Sequence, residues 1–188
     1  SDFMLHIYKA SAGSGKTYTL TLEYIKLLLG YRDEQGRYQL YRKSDAQHRR
    51  ILAVTFTNKA TEEMKHRIVF QLDILAHDTE KSPYVDGLMQ LFGCTVEQIR
   101  GIASETLYVL LHDFSYFNIS TIDRFFQQVL RNFTREIGLQ GSFEIEMDND
   151  FVTASAIDRM YSELSDVDQK GLLNWLIHYA EERIESGN

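Results

Sequence analysis

An α/β fold, a parallel sheet flanked by helices, is the class this sequence predicts, and three observations predict it. Residues 4–9 read as a short buried strand, and residues 51–55 (I-L-A-V-T) are a continuous apolar run, the mark of a parallel strand buried on both faces. Each is followed by apolar residues at helical spacing. A glycine-bearing turn, A-S-A-G-S-G-K-T at 10–17, joins the first strand to the first helix. Strands alternating with helices in this order build a parallel sheet with helices on its faces.

The elements follow in order. The first helix runs from about 16 to 29 and is stopped by Gly30. Residues 31–50 are polar, with Arg32, Arg37, Arg42, Lys43, Arg49 and Arg50 against Asp33, Glu34 and Asp45, and read as an exposed loop. After the 51–55 strand, Ala60, Met64, Ile68, Leu72 and Leu75 mark a second helix. Residues 82–93 give no clear pattern. Ile99, Ile102, Ala103, Leu107 and Leu110 mark a further helix, and 117–121 is a candidate third strand. Ile122, Phe125, Phe126, Val129, Leu130, Phe133 and Ile137 then line one face of a long helix. Beyond Gly141, Phe143, Ile145 and Met147 alternate with acidic residues as in a half-exposed strand, and two acidic helices follow. A boundary is expected near 139–142, with residues 1–140 as the α/β domain and 141–188 as an acidic, mainly helical segment.

Composition excludes several classes. The single cysteine, Cys94, rules out an internal disulfide and reads as a small apolar filler. There is no secretory signal and no apolar segment near the roughly 20 residues that span a bilayer, so a cytoplasmic protein without a membrane partner is expected. The six histidines show no metal-ligand spacing, and Glu62 and Glu63, adjacent on a helix, diverge into solvent. The net charge of −7 is local: residues 141–188 hold 11 acidic and 3 basic side chains, while 1–140 are close to neutral and do not exclude a polyanion.

The 10–17 loop is the Walker A pattern with alanine in the first glycine's place. Gly13 and Gly15 let the backbone of Ala12, Gly13, Ser14, Gly15, Lys16, Thr17 and Tyr18 wrap a phosphate with its N–H groups inward. Lys16 brings positive charge to the β- and γ-phosphates, and the Thr17 hydroxyl is the expected Mg²⁺ ligand. Lys16 and Thr17 are therefore the candidate catalytic residues, with ATP and Mg²⁺ as cofactors. The following helix aims its positive end at the anion.

The segment T-F-T-N-K-A at 55–60, followed by T-E-E-M-K-H-R-I, resembles the second conserved motif of UvrD/Rep-like DNA helicases. The resemblance implies a RecA-like P-loop NTPase domain whose loop lies on single-stranded DNA. Phe56 would touch a base, and Thr57, Asn58 and Lys59 would meet the backbone, as an aromatic face and short polar groups suit sequence-independent binding. The residues alone leave another reading open, with Phe56 in the core and Thr57 or Asn58 capping the next helix. S-T-I-D-R-F-F at 120–126 resembles the family's next DNA-contacting motif, which makes Thr121 a further candidate contact; Asp123 stands where a histidine is common. Phe125 and Phe126 read as core.

The loop spelling and G-S-F-E-I at 141–145 are similar to the exonuclease V beta-subunit (RecB/AddA-like) branch of ATP-dependent helicase/nucleases. That resemblance implies a function in recombination and repair, translocation on single-stranded DNA, partly duplex DNA as substrate and, as candidate partner, a second helicase/nuclease subunit. No glutamine segment precedes the loop and no apolar strand ends in Asp-Glu, so the Walker B carboxylates and the later motifs are missing. The expectation is an N-terminal piece of a longer polypeptide, with 141–188 the start of a helical insertion domain. Two other readings stand beside it: a small P-loop nucleotide or metabolite kinase with 31–50 as its lid, and a non-hydrolysing nucleotide-dependent DNA-binding module.

Overall fold

The structure, a computed structural model, describes residues 14–136. They fall into two compact units, one ending at Ile122 and the other containing Asp123–Glu136. The expected 4–9 strand, the 10–13 turn, the 139–142 boundary and everything proposed beyond 136 lie outside the described residues.

In the first unit, helix α1 (Ser14–Leu29) buries Thr21, Tyr24, Ile25, Leu28 and Leu29, an i, i+3, i+4 stripe, as the periodicity requires. It ends at Gly30 for a reason of space. A Cβ there would collide with the Gln39 carbonyl and the Phe92 ring, so only glycine lets the chain pass.

The chain stays largely exposed here, as expected, but it is not an irregular loop. Gly30 opens strand β1 (Gly30–Arg32), which pairs antiparallel with β2 (Tyr38–Leu40), Tyr31 opposite Gln39. The expected 31–50 loop is thus corrected to a hairpin plus a 3₁₀ turn, Gln47–Arg50. The sequence carried the signal in Asp33 and Gly36. The Asp33 carboxylate accepts the amides of Gln35 (3.0 Å) and Arg37 (2.8 Å), and Gly36 takes the left-handed φ of 77°. The density of charge in 31–50 hid this short-range turn chemistry.

Strand β3 (Ala53–Thr55) forms from the apolar run and β4 (Ile119–Thr121) from the candidate third strand. They pair in parallel, Ala53 opposite Ile119 and Thr55 opposite Thr121. Between them run helices α2 (Asn58–His77), α3 (Val85–Phe92) and α4 (Val96–His112). Helix α3 resolves the unreadable stretch 82–93 and stops at Gly93, in the left-handed region at φ 60°. Helix α4 opens on a capping box, with Thr95 Oγ1 accepting the Gln98 amide and the Gln98 side chain accepting the Thr95 amide. The faces of α2 and α4 meet in one core containing Ile68, Leu72, Leu75, Ile99, Ala103 and Leu110, all fully buried. Among the described residues the architecture is mixed α/β and helix-rich, with two two-stranded sheets.

Helix α5 (Ile122–Glu136) buries Ile122, Phe125 and Val129 at the predicted spacing; Phe126 is half-buried. The expectations for the side chains of Leu130, Phe133 and Ile137 lie outside what the structure describes.

Candidate functional site

The phosphate-loop residues that are described open α1. Ser14, Gly15, Lys16 and Thr17 form its first turn, so the positive end of a 16-residue helix sits where the sequence places the triphosphate. Ala12 and Gly13 lie outside the described residues. The Tyr18 side chain turns aside. Its ring packs on Tyr84 at 4.6 Å, its hydroxyl donates to the Pro83 carbonyl, and the Tyr84 hydroxyl donates to the Tyr18 carbonyl. Only the backbone of Tyr18 is left to face a phosphate.

The second group of predicted residues gathers at the carboxyl ends of β3 and β4, where open α/β sheets bind their ligands. Phe56 follows β3 directly and is 59% exposed, which removes the core reading of this ring. Thr57, not Asn58, caps α2: its Oγ1 accepts the Ala60 amide at 3.1 Å. A threonine network fixes the turn. The Thr55 and Thr61 hydroxyls lie 2.6 Å apart, one donating to the other, and both sit 3.2 Å from the Thr57 carbonyl, which accepts from the hydroxyl whose proton is left over. With residues 55 and 57 held, Phe56 is presented outward on a rigid base.

Asn58 and Lys59 are exposed in the first turn of α2, where their amides have no intrahelical acceptor. This 20-residue helix directs its positive end at the same place. Thr121, half-buried, stands opposite Thr55 in the parallel register. The structure therefore brings Phe56, Thr57, Asn58, Lys59 and Thr121 into one neighbourhood. Asp123 is exposed in the first turn of α5. Glu62 and Glu63 are exposed, as expected of solvated neighbours, and among the described residues no cluster of histidine, cysteine and carboxylates has the makings of a metal site.

Sequence reasoning missed a clamp at the opposite ends of these strands. His48 is 1% exposed and its Nε2 lies 2.8 Å from Asp113 Oδ2. Arg49 grips the same carboxylate through Nε and Nη2, at 2.5 and 2.6 Å, and stacks its guanidinium 4.2 Å from the Tyr116 ring centre. The Arg49 hydrogen bonds hold the Asp113 carboxyl below its ordinary range. Burial pushes the His48 imidazole down, against the pull of Asp113, so it is neutral and donates from Nε2. The clamp joins the turn that leads into β3 to the turn that leads into β4. No spacing rule links residues 65 apart, and only the parallel pairing brings them together.

A mixed α/β chain whose Walker A sequence runs into the first turn of a helix belongs to the phosphate-loop nucleotide-binding class. Within that class, residues 6–185 match the UvrD/REP helicase N-terminal domain, and the chain belongs to that family. It is 35% identical over 130 residues to the RecBCD enzyme subunit RecB of Buchnera aphidicola subsp. Acyrthosiphon pisum, covering 68% of this chain and 10% of that protein. It is 26% identical over 176 residues to an ATP-dependent helicase/nuclease subunit of Clostridium botulinum (strain Loch Maree / Type A3), covering 93% of this chain and 11% of that protein. A 64-residue stretch, 34% of this chain and 5% of the relative, is 42% identical to RecB of Haemophilus influenzae. The chain thus spans about a tenth of the length of the first two relatives. No solved structure matches it.

Proposed function

We propose that this chain is the N-terminal, ATP-binding part of an ATP-dependent DNA helicase of the helicase/nuclease type, acting in recombination and repair and moving on single-stranded DNA. The observation that carries the DNA reading is Phe56, 59% exposed at a strand end that family membership assigns to a helicase domain. A large aromatic ring held in water by a hydrogen-bonded turn serves no packing purpose. Stacking on a base uses its face, tolerates any sequence and suits a protein that travels along a strand. Lys59 and the free amides of α2 supply the charge that meets a phosphate beside the stacked base, and Thr121 borders the same strand ends.

In this reading Lys16 neutralises the β- and γ-phosphates, and the Thr17 hydroxyl is the group that would hold Mg²⁺. A metal held there would supply positive charge to offset that of the phosphates. The residues present fit a bound nucleotide: a 16-residue helix begins at the loop with glycine, lysine and threonine in its first turn. Carboxylates for hydrolysis are not among them. The sequence's only Asp-Glu pair, Asp33-Glu34, sits at the hairpin turn, where Asp33 is occupied by the turn's own amides. DNA as substrate and, as partner, a second subunit complete the proposal, in keeping with relatives named as enzyme subunits. The kinase reading leaves T-F-T-N-K-A at 55–60 unaccounted for, whereas the helicase reading uses it.

Fluorescence anisotropy with a labelled oligothymidylate tests the DNA reading. Wild type is expected to bind weakly, with a salt-dependent affinity. Phe56→Ala should remove about 1–3 kcal/mol of stacking. Lys59→Ala should flatten the log–log salt slope by about 0.7. Because Phe56 is exposed, its loss should leave the melting temperature unchanged. Isotherms identical for wild type and both variants at low salt would return this turn to a purely structural role.

A further inference from the structure

A cleft of about 530 Å³ lies between β2, the α3–α4 turn and α4, bordered by Leu40, Arg42, Phe92, Gln98, Gly101 and Glu105. It is remote in sequence from the phosphate loop and from the Phe56 turn, and neither reading uses it. Its volume is in the range of pockets that hold ligands.

Three features of its walls point the same way. The first is an open strand edge. Asp33 and Tyr41 donate their amides to Arg37 and Leu29 across the hairpin, which makes 33–37 and 29–41 hydrogen-bonded pairs. Alternation along an antiparallel ladder then turns the N–H and C=O groups of Tyr38 and Leu40 away from β1. Among the described residues nothing accepts or donates to the Leu40 backbone, and Leu40 borders the cleft. The second is Gly101. It sits inside α4, where glycine costs about 0.5–1 kcal/mol relative to alanine. No packing demands it, because a Cβ at this position would meet nothing within 4 Å. The missing side chain keeps the cleft wall flat. The third is charge. Arg42 makes no ion pair or hydrogen bond among the described residues, and exposed Lys43 follows it. The one carboxylate of the cleft, Glu105, is engaged by the Ser44 amide at 3.0 Å.

We infer that this cleft is a strand-addition site, which takes an extended, acidic peptide segment of a partner protein alongside β2. An extended chain meets the outward amide and carbonyl of Leu40 with its own backbone, as a strand adds to a free edge. Its side chains alternate, one set lying over Phe92 and Gly101 and the other in solvent. At about 3.3 Å per residue, four or five residues fill the length of β2 through Arg42. A carboxylate on the segment pairs with Arg42. The site is independent of the nucleotide and DNA reading and stands or falls separately from it.

The test uses the full 188-residue chain, labelled with ¹⁵N, and a probe hexapeptide of alternating valine and glutamate, acetylated and amidated. Saturable shifts are expected at the Leu40 and Arg42 amides. Gly101→Leu, whose Cβ meets nothing within 4 Å and whose longer chain would occupy the cleft wall, should weaken binding about tenfold or more at a melting temperature no lower than that of wild type. A peptide N-methylated on alternate residues, and one with lysine for glutamate, should be weakened similarly. Absence of saturable shifts at these two amides overturns the proposal, and so does unchanged binding by Gly101→Leu. Equal shifts with oligothymidylate would make the cleft a nucleic-acid site instead. Shifts that grow with protein concentration and no peptide would make its occupant a second copy of the chain. Either result overturns the peptide assignment.

Discussion

Tyr24 is 3% exposed inside the core, its ring set edge-on to Phe117 at 5.7 Å, and its buried hydroxyl has no partner among the described residues. Burial drives its pKa far up, so the group stays neutral and its cost is that of a desolvated hydroxyl. Such a group typically costs about 1–3 kcal/mol. Tyr24→Phe keeps the ring contact and is expected to stabilise the chain by about 1 kcal/mol, read as a higher urea midpoint at an unchanged slope. A lower midpoint would mean that the hydroxyl has a partner. His48 gives a second expectation at this scale. Its folded pKa is depressed by burial, so between that value and the ordinary imidazole range the unfolded chain binds more protons than the folded one. Stability from this group is complete above the ordinary value near 6.5 and is lost as pH falls through the folded value. Asp113, also depressed, adds a loss of the same sign lower down, below the ordinary carboxylate range. Melting temperature should rise from about pH 5 to about pH 7, and His48→Gln should flatten that rise; a slope retained in the variant would assign it to another group.

At the scale of elements, the joins matter more than the interiors. Thr57 both caps α2 and anchors the turn that presents Phe56. Thr57→Ala should lower stability by about 1 kcal/mol, the usual worth of a threonine cap. It should also weaken single-stranded DNA binding, because the carbonyl that fixes the turn remains while the cap that aligns it is lost. The hairpin rests on Gly30 in the same way. Gly30→Ala places a methyl against the backbone carbonyl of Gln39 and the Phe92 ring. Backbone cannot step aside as a flexible side chain can, so a loss of about 1–3 kcal/mol is expected, as for an overpacked core. Chemical denaturation measures both variants, and a Gly30→Ala protein as stable as wild type would show that the hairpin can shift away from α3.

At the scale of the whole molecule, the expectation concerns what the chain can do unaided. Phosphoryl transfer is catalysed almost wholly by positioning and charge. This chain offers one lysine and one metal-binding hydroxyl at the loop, and its only Asp-Glu pair is spent on a turn. It should bind ATP or ADP with Mg²⁺ weakly, lose that binding in Lys16→Ala, and turn over no ATP with or without DNA. Calorimetry reads the first two and phosphate release the third. Turnover above about one per minute that disappears in Lys16→Ala would mean that the missing carboxylates lie within these residues.

The sequence by itself determined the features that depend on neighbours along the chain. Helical spacing gave α1, α2, α4 and α5 and most of the side chains they bury, because amphipathic periodicity is local. The apolar run at 51–55 gave β3, and the Walker A and T-F-T-N-K-A segments gave the family. Short-range turn chemistry was present at Asp33 and Gly36, and at Thr95 and Gln98, but was masked by the polarity around it. Tertiary structure alone decided whether Phe56 was core or surface, because an exposed strand end and a buried one are spelled alike. It also decided that Thr57 rather than Asn58 is the cap, since adjacent polar residues compete on backbone angle and not on identity. The pairing of Thr55 with Thr121, the clamp of His48 and Arg49 on Asp113, and the cleft beside β2 are contacts between distant segments. They exist only after the parallel crossover closes, and no local pattern in the chain encodes which distant residue will be met there.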